Sequence, residues 1–129
     1  IFSNTDLVLV IGLGAKGFEI LQSEKLLKDK KNVSFAVLEI NAKNNYILNA
    51  ENLGADVWIG DGLSSIDLSV ICWKRPSKIW IMTSDSILNL KILDQVSSID
   101  KKYSIDLSNV NFILSFLRIK TGELKIVCR

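Results

Sequence analysis

Apolar and polar positions are arranged in blocks that predict a regular succession of strands and helices. Continuous apolar runs rich in β-branched residues predict strands, because parallel strands covered on both faces have this composition. These runs occupy residues 6–12, 32–40, 56–59, 78–83 and 110–117. The segments between them predict helices at residues 15–29, 42–53, 64–73 and 85–99, with Gly54 as the stop of the second helix.

The alternation predicts an α/β protein with a Rossmann-like, doubly wound, mainly parallel sheet and helices on both faces. The first strand is expected between the second and the fourth, with the topological switch point beside Gly12. A chain of 129 residues suits one domain, so residues 1–129 are assigned to a single domain. Because the sequence begins at Ile1 rather than Met, we expect this domain to be part of a longer protein. Residues 123–129 are predicted to form a sixth strand or to begin a further segment.

The first strand runs into a glycine-rich turn with the spacing G-x-G-x-x-G, formed by Gly12, Gly14 and Gly17. The first glycine permits the tight turn, the second admits a pyrophosphate close to the backbone, and the third allows close helix–strand packing. The amides at the start of the next helix, from Ala15 onward, would point at the phosphates. Lys16 is a phosphate ligand or a solvent-facing helix residue. A strand before the turn and a helix after it support nucleotide binding over a ligand-free turn.

Glu39 ends the second strand, 22 residues after Gly17. A carboxylate there can accept hydrogen bonds from both ribose hydroxyls of an adenosine and would repel a 2′-phosphate, which disfavours NADP. The alternative is a solvated carboxylate at a strand end. Ile40 and Asn41 follow in the predicted site, where Asn41 either contacts the same ribose or forms a turn.

The ends of the third and fourth strands are predicted to complete the cleft. Asp61, flanked by Gly60 and Gly62, would lie at the adenine ring, or would form an Asx-turn or helix cap instead. Thr83 and Ser84 end the fourth strand at the same edge of the sheet. They would contact the distal phosphate or second ribose, or cap the following helix.

Composition narrows the function further. A net charge of +2 gives no electrostatic case for a nucleic-acid partner. The sequence contains no His, which removes the commonest general base and metal ligand, and its two cysteines have no CxxC spacing. No catalytic residue and no metal ligand is therefore predicted.

The order of motifs resembles the TrkA-N or RCK (KTN) nucleotide-binding domains that regulate potassium transporters and channels. The matching stretches are "VLVIGLGAKG", "LGADVWIGDG" and "TSDSILNL", and the resemblance extends from residue 6 to about residue 118. In that family the glycines cradle phosphates and the acid ending the second strand binds ribose, which implies these roles for Gly12, Gly14, Gly17 and Glu39. The family often has Arg directly after the second glycine, where this chain has Ala15.

The resemblance implies a non-catalytic regulatory domain that binds NAD(H) or an adenine nucleotide (ATP, ADP or AMP) and controls potassium transport or channel gating. It also implies a homodimer or larger ring, a membrane channel or transporter as partner, and a location in the cytoplasm or at the cytoplasmic face of a membrane. Two alternatives stay open: the cofactor domain of an NAD-dependent oxidoreductase that lacks its catalytic half, and a ligand-free Rossmann scaffold for protein association.

Overall fold

The fold is a five-stranded, all-parallel sheet with the strand order β3-β2-β1-β4-β5. A computed structural model describes residues 6–27, 33–103 and 110–114. The strands are β1 (Asp6–Ile11), β2 (Val33–Glu39), β3 (Ala55–Ile59), β4 (Lys78–Ile81) and β5 (Asn111–Leu114), and the helices are α1 (Ala15–Leu27), α2 (Ile47–Asn52), α3 (Ser65–Cys72) and α4 (Ser86–Tyr103). The Rossmann-like α/β prediction, including the central place of β1, is confirmed.

The central strand β1 is buried on both faces, as its continuous apolar sequence predicts. Leu7, Leu9 and Ile11 belong to a core formed with α3 and α4. Val8 and Val10 point to the opposite face, into a second core formed with α1 and α2. Two of the described helices therefore cover each face of the sheet.

The switch point lies where β1 has β2 on one side and β4 on the other. Ile11 is in register with Leu38 of β2 and with Ile81 of β4, so these parallel strands end at one edge of the sheet. The amide of Gly12 donates to the carbonyl of Leu38 at 2.9 Å, which extends the ladder one residue beyond the strand. Loops after neighbouring strands are thereby held side by side, as a ligand-binding crevice requires.

The predicted start of α2 was wrong. The helix was expected from residue 42, but it begins at Ile47. Asn41 and Asn44 explain the difference, because the side-chain oxygen of each accepts the backbone N–H two residues further on, from Lys43 at 3.0 Å and Tyr46 at 2.7 Å. Such Asx-turns compete with helix formation.

Other boundaries also differ from the sequence prediction. α4 continues to Tyr103 rather than ending at residue 99. The predicted ends of the first helix and of the fifth strand, and the predicted sixth strand at 123–129, lie outside the described residues. In the part of the chain that the structure describes, we find no helix with the length and apolar character needed to cross a membrane.

Cys72, at the end of α3, is fully buried in the core between the sheet and α4. Burial disfavours the thiolate and raises the pKa of Cys72 to about 12. We therefore expect Cys72 to resist aromatic disulfide reagents at pH 8 in the folded protein and to react fully after denaturation. The measurement is thiol labelling of a Cys128→Ser variant, in which Cys72 is the remaining cysteine. Equal labelling rates with and without denaturant would contradict the burial of this thiol.

Candidate nucleotide-binding cleft

A cleft of about 470 Å³ opens at the carboxyl ends of β1, β2, β3 and β4. Its volume is in the range of small-molecule sites. Most of the residues predicted from sequence line it: Gly12, Gly14, Ala15, Lys16, Glu39, Ile40, Gly60, Asp61, Gly62, Thr83 and Ser84. The other two predicted residues, Gly17 and Asn41, contact the lining residues Gly12 and Glu39 instead.

The glycine turn lines this cleft, and the three glycines differ in whether a side chain could be accommodated at their positions. Gly12 has φ +96°, and a Cβ there would lie 2.8 Å from the amide nitrogen of Thr83. A Cβ on Gly17 would lie 2.3 Å from the carbonyl oxygen of Gly12. Gly14 has no atom within 4 Å of its Cβ position. Gly12 and Gly17 are therefore glycines because a side chain would clash with the backbone of the folded chain, whereas a side chain at Gly14 would meet no protein atom.

Helix α1 begins directly beside that open space. The Phe18 amide donates to the carbonyl of Gly14 at 2.9 Å, and Ala15 and Lys16 of the first turn line the cleft. The earliest N–H groups of an α-helix have no acceptor within the helix, and they carry a partial positive charge. No acidic side chain lies in the first turn of α1 to offset that charge. This end of the cleft is suited to an anionic group such as a pyrophosphate.

Glu39 is buried, with 7% of its surface exposed, so it is not the solvated carboxylate that the sequence left as an alternative. Its Oε1 accepts the amide of Leu13 at 2.8 Å, and its Oε2 accepts the amide of Asn41 at 3.1 Å. The carboxylate thus clamps the glycine turn to the end of β2. Each carboxylate oxygen has two lone pairs, so both can still accept a hydrogen bond from a ligand hydroxyl.

Asn44 supports the same turn from the other side, a role that the sequence did not predict. Its Nδ2 donates to the carbonyl of Leu13 at 2.7 Å, and the residue lines the cleft. Together with Glu39, it binds both backbone groups of Leu13. Its only signal in the sequence was an Asn three residues after Asn41, a spacing that is typical of consecutive turns.

The loop after β3 is an Asx-turn. Asp61 Oδ1 accepts the amide of Leu63 at 2.9 Å, which confirms the turn-forming alternative for this side chain. The amide of Asp61 donates to Asp67 Oδ2 at 2.8 Å, so a carboxylate of α3 that was not predicted as a site residue holds the loop. Asp61 remains exposed at the cleft, where its side chain can accept a further hydrogen bond.

The loop after β4 is held by Asn89, which is 0% exposed. Asn89 Oδ1 accepts from both the amide and the hydroxyl of Thr83, and its Nδ2 donates to the carbonyl of Thr83 at 3.2 Å. Asp85 caps α4 by accepting the amides of Ile87 and Leu88 at 2.9 and 3.1 Å. Thr83 and Ser84 line the cleft, while the capping role belongs to Asp85.

Charge and donor groups define what the cleft can bind. Lys16 is the basic residue among those that line it, and Glu39 and Asp61 are the acidic ones. Among the described residues, we find no group of three or more Cys, Asp or Glu side chains placed to hold a metal ion. The cleft therefore offers the amides of the first turn of α1 and a lysine beside Gly14, a carboxylate held against the glycine turn at Glu39, and a second carboxylate in the loop after β3 at Asp61.

No family model matches the chain, and no curated protein is significantly similar to it.

Proposed function

We propose that this domain is a regulatory module that binds NAD(H) or an adenine nucleotide in the cleft and controls potassium transport or channel gating. The observation that carries the nucleotide proposal is that Glu39 and Gly14 line one cleft. A buried carboxylate with free lone pairs suits ribose hydroxyls, and the open glycine backbone at a helix N-terminus suits phosphates. The link to potassium transport rests on the order of the sequence motifs.

A regulatory role requires that ligand binding change the conformation of the domain. The loop after β4 could couple the two, because it joins the cleft to α4. Thr83 lines the cleft and is bound through its amide, carbonyl and hydroxyl to Asn89, one turn inside α4. A ligand that contacts Thr83 or Ser84 would therefore act on the first turns of α4. Ligands shift a two-state equilibrium only by their difference in affinity for the two states, so no catalytic group is needed.

Titration calorimetry with NADH, NAD, ATP, ADP and AMP tests the proposal. We expect at least one of them to bind more tightly than about 1 mM, a dissociation constant equivalent to about −4 kcal/mol. NADPH is the matched control, because its 2′-phosphate would meet the carboxylate of Glu39; we expect it to bind at least about tenfold more weakly than NADH. No binding of any of the five ligands would refute the nucleotide proposal.

The proposed control of potassium transport is tested separately, by identifying what accompanies this domain in its own chain or as a bound partner. A transmembrane pore segment, or co-purification with a potassium channel or transporter, would support control of transport. A neighbouring domain that brings His or Lys to the cleft, with NAD-dependent substrate oxidation, would instead indicate the cofactor domain of a dehydrogenase.

A further inference from the structure

The side of helix α1 that faces the sheet ends in a charged residue. Gly17, Leu21 and Glu24 have the spacing i, i+4, i+7, which places them on one face of the helix, and all three are buried. Glu24 is only 3% exposed. An apolar residue is the ordinary choice at such a position, because burying an ionised carboxylate costs free energy unless it is paired and hydrogen-bonded.

The partners of Glu24 lie on strand β4. Its Oε2 accepts hydrogen bonds from Lys78 Nζ and from Trp80 Nε1, each at 2.8 Å. Lys78 and Trp80 are two residues apart on β4, so their side chains lie on the same face of the sheet. Trp80 also packs against the core that α1 and α2 form with that face. The carboxylate therefore joins α1 to β4 through an ion pair and a second hydrogen bond.

Net stability does not account for this ion pair. The other carboxylate oxygen, Glu24 Oε1, is buried and has no hydrogen-bond partner in the part of the chain that the structure describes. The side chain of Lys78 is 25% exposed, so solvent weakens its attraction to Glu24. Replacing a buried ion pair by apolar side chains of similar size is often neutral or stabilising. The pair instead adds direction, because two hydrogen bonds to one oxygen define where α1 lies along β4, whereas apolar contacts tolerate sliding.

Both elements that Glu24 joins lead to the nucleotide cleft. α1 begins with Ala15 and Lys16, which line the cleft. β4 runs into Thr83 and Ser84, which line it as well. Glu24 lies eight residues after Lys16, about 12 Å along the helix axis. A rigid helix transmits a displacement over this length, so the position of α1 at Glu24 determines the position of its first turn.

We propose that Glu24 is a positioning residue of the cleft, which sets, through Lys78 and Trp80, where the first turn of α1 lies relative to the loop after β4. Glu24 does not line the cleft, so it acts through the backbone of α1 rather than by contact. Its effect on affinity rests on the proposed nucleotide binding, whereas its effect on the position of α1 does not.

A double variant, Glu24→Met with Lys78→Met, tests the proposal, because it removes both charges and leaves neither of them unpaired. Gln22→Met is the matched control, since Gln22 is exposed on α1 and its replacement also leaves the net charge unchanged. We expect both variants to unfold at the urea concentration of the wild type or above it. A clearly lower urea midpoint for the double variant would show that the pair serves stability, and would overturn the proposal.

Backbone amide NMR resonances report the position of α1 in the ligand-free protein. We expect the double variant to shift the resonances of Ala15 and Lys16, although these residues are more than two helical turns from residue 24. Gln22→Met should leave both resonances unchanged, although residue 22 is nearer to them. Unchanged resonances in the double variant would overturn the proposal, whether or not the domain binds a nucleotide.

Titration calorimetry with NADH and ATP then measures the effect on the cleft. We expect the double variant to bind whichever of the two the wild type binds at least about fivefold more weakly, and Gln22→Met to bind as the wild type does. Unchanged affinity in the double variant would overturn the link between the position of α1 and ligand binding. If the wild type bound neither nucleotide, the calorimetry would count against the proposed function, and the amide resonances would still decide whether Glu24 positions α1.

Discussion

Gly17→Ala is expected to destabilise the domain, whereas Gly14→Ala is expected to leave its stability nearly unchanged. A Cβ on Gly17 would lie 2.3 Å from the carbonyl oxygen of Gly12, so α1 would have to move away from β1. Forced overpacking costs about 1–3 kcal/mol, and a clash with backbone should reach the upper end, which lowers Tm by roughly 10 °C. Thermal unfolding followed by circular dichroism measures this difference.

Gly14→Ala tests nucleotide affinity without a large change in the stability of the fold. No atom lies within 4 Å of its Cβ position, and its φ is outside the left-handed region. Alanine is a poorer N-cap than glycine but restricts the unfolded chain, so the net change should be within about 1 kcal/mol. A phosphate that approaches this backbone would meet the new methyl group, and we expect nucleotide affinity to fall about tenfold or more, which equals about 1.4 kcal/mol.

The two glycine variants are therefore expected to change different measured quantities. Gly17→Ala should lose stability, and Gly14→Ala should lose affinity while it stays folded. If Gly14→Ala bound nucleotide as well as wild type, the phosphates would not lie against the glycine turn. If Gly17→Ala were as stable as wild type, the close contact between α1 and the turn would not be needed for the fold.

Much of the fold was predictable because its signals are local. The apolar run of β1 and the strict alternation of strands and helices were sufficient to predict a parallel sheet with β1 at its centre. The start of α2 was missed because the side chains of Asn41 and Asn44 form turns, and the helical pattern alone does not show that competition. Boundary errors of this kind arise where a side chain replaces a backbone partner.

The sequence predicted most of the residues that line the cleft, but it predicted few of the hydrogen bonds that hold them in place. The spacing after the glycine turn placed Glu39 correctly at the cleft. It did not reveal that Leu13 donates to that carboxylate, because this bond joins residues that only the folded chain brings together. Asn89 belonged to a quoted motif, yet its burial against Thr83 depends on how α4 is placed on the sheet.

Glu39→Ala is expected to weaken both the fold and the nucleotide site. The carboxylate is buried and accepts the amides of Leu13 and Asn41, so alanine would leave two backbone donors without their acceptor. Hydrogen bonds to charged groups contribute about 1.5–3 kcal/mol each, and leaving a buried donor unsatisfied costs a similar amount. We expect a loss of about 3 kcal/mol in the free energy of unfolding, measured by urea denaturation.

Glu39→Gln distinguishes clamping of the turn from recognition of ribose. Glutamine keeps the shape and one acceptor oxygen, so the fold should survive with a loss of about 1–2 kcal/mol. It also removes the negative charge that would repel a 2′-phosphate. If Glu39 contacts the ribose, the affinity for NADPH relative to NADH should rise, by roughly tenfold, in calorimetric titrations.

Glu51→Gln is the matched control for this experiment, because Glu51 is an exposed carboxylate on α2 that does not line the cleft. Its stability and its ratio of NADPH to NADH affinity should equal those of wild type. A destabilised Glu39→Gln variant with an unchanged ratio would restrict Glu39 to shaping the glycine turn. A changed ratio would place the 2′-oxygen of the adenosine ribose near this carboxylate, because the repulsion between a carboxylate and a phosphate falls with distance.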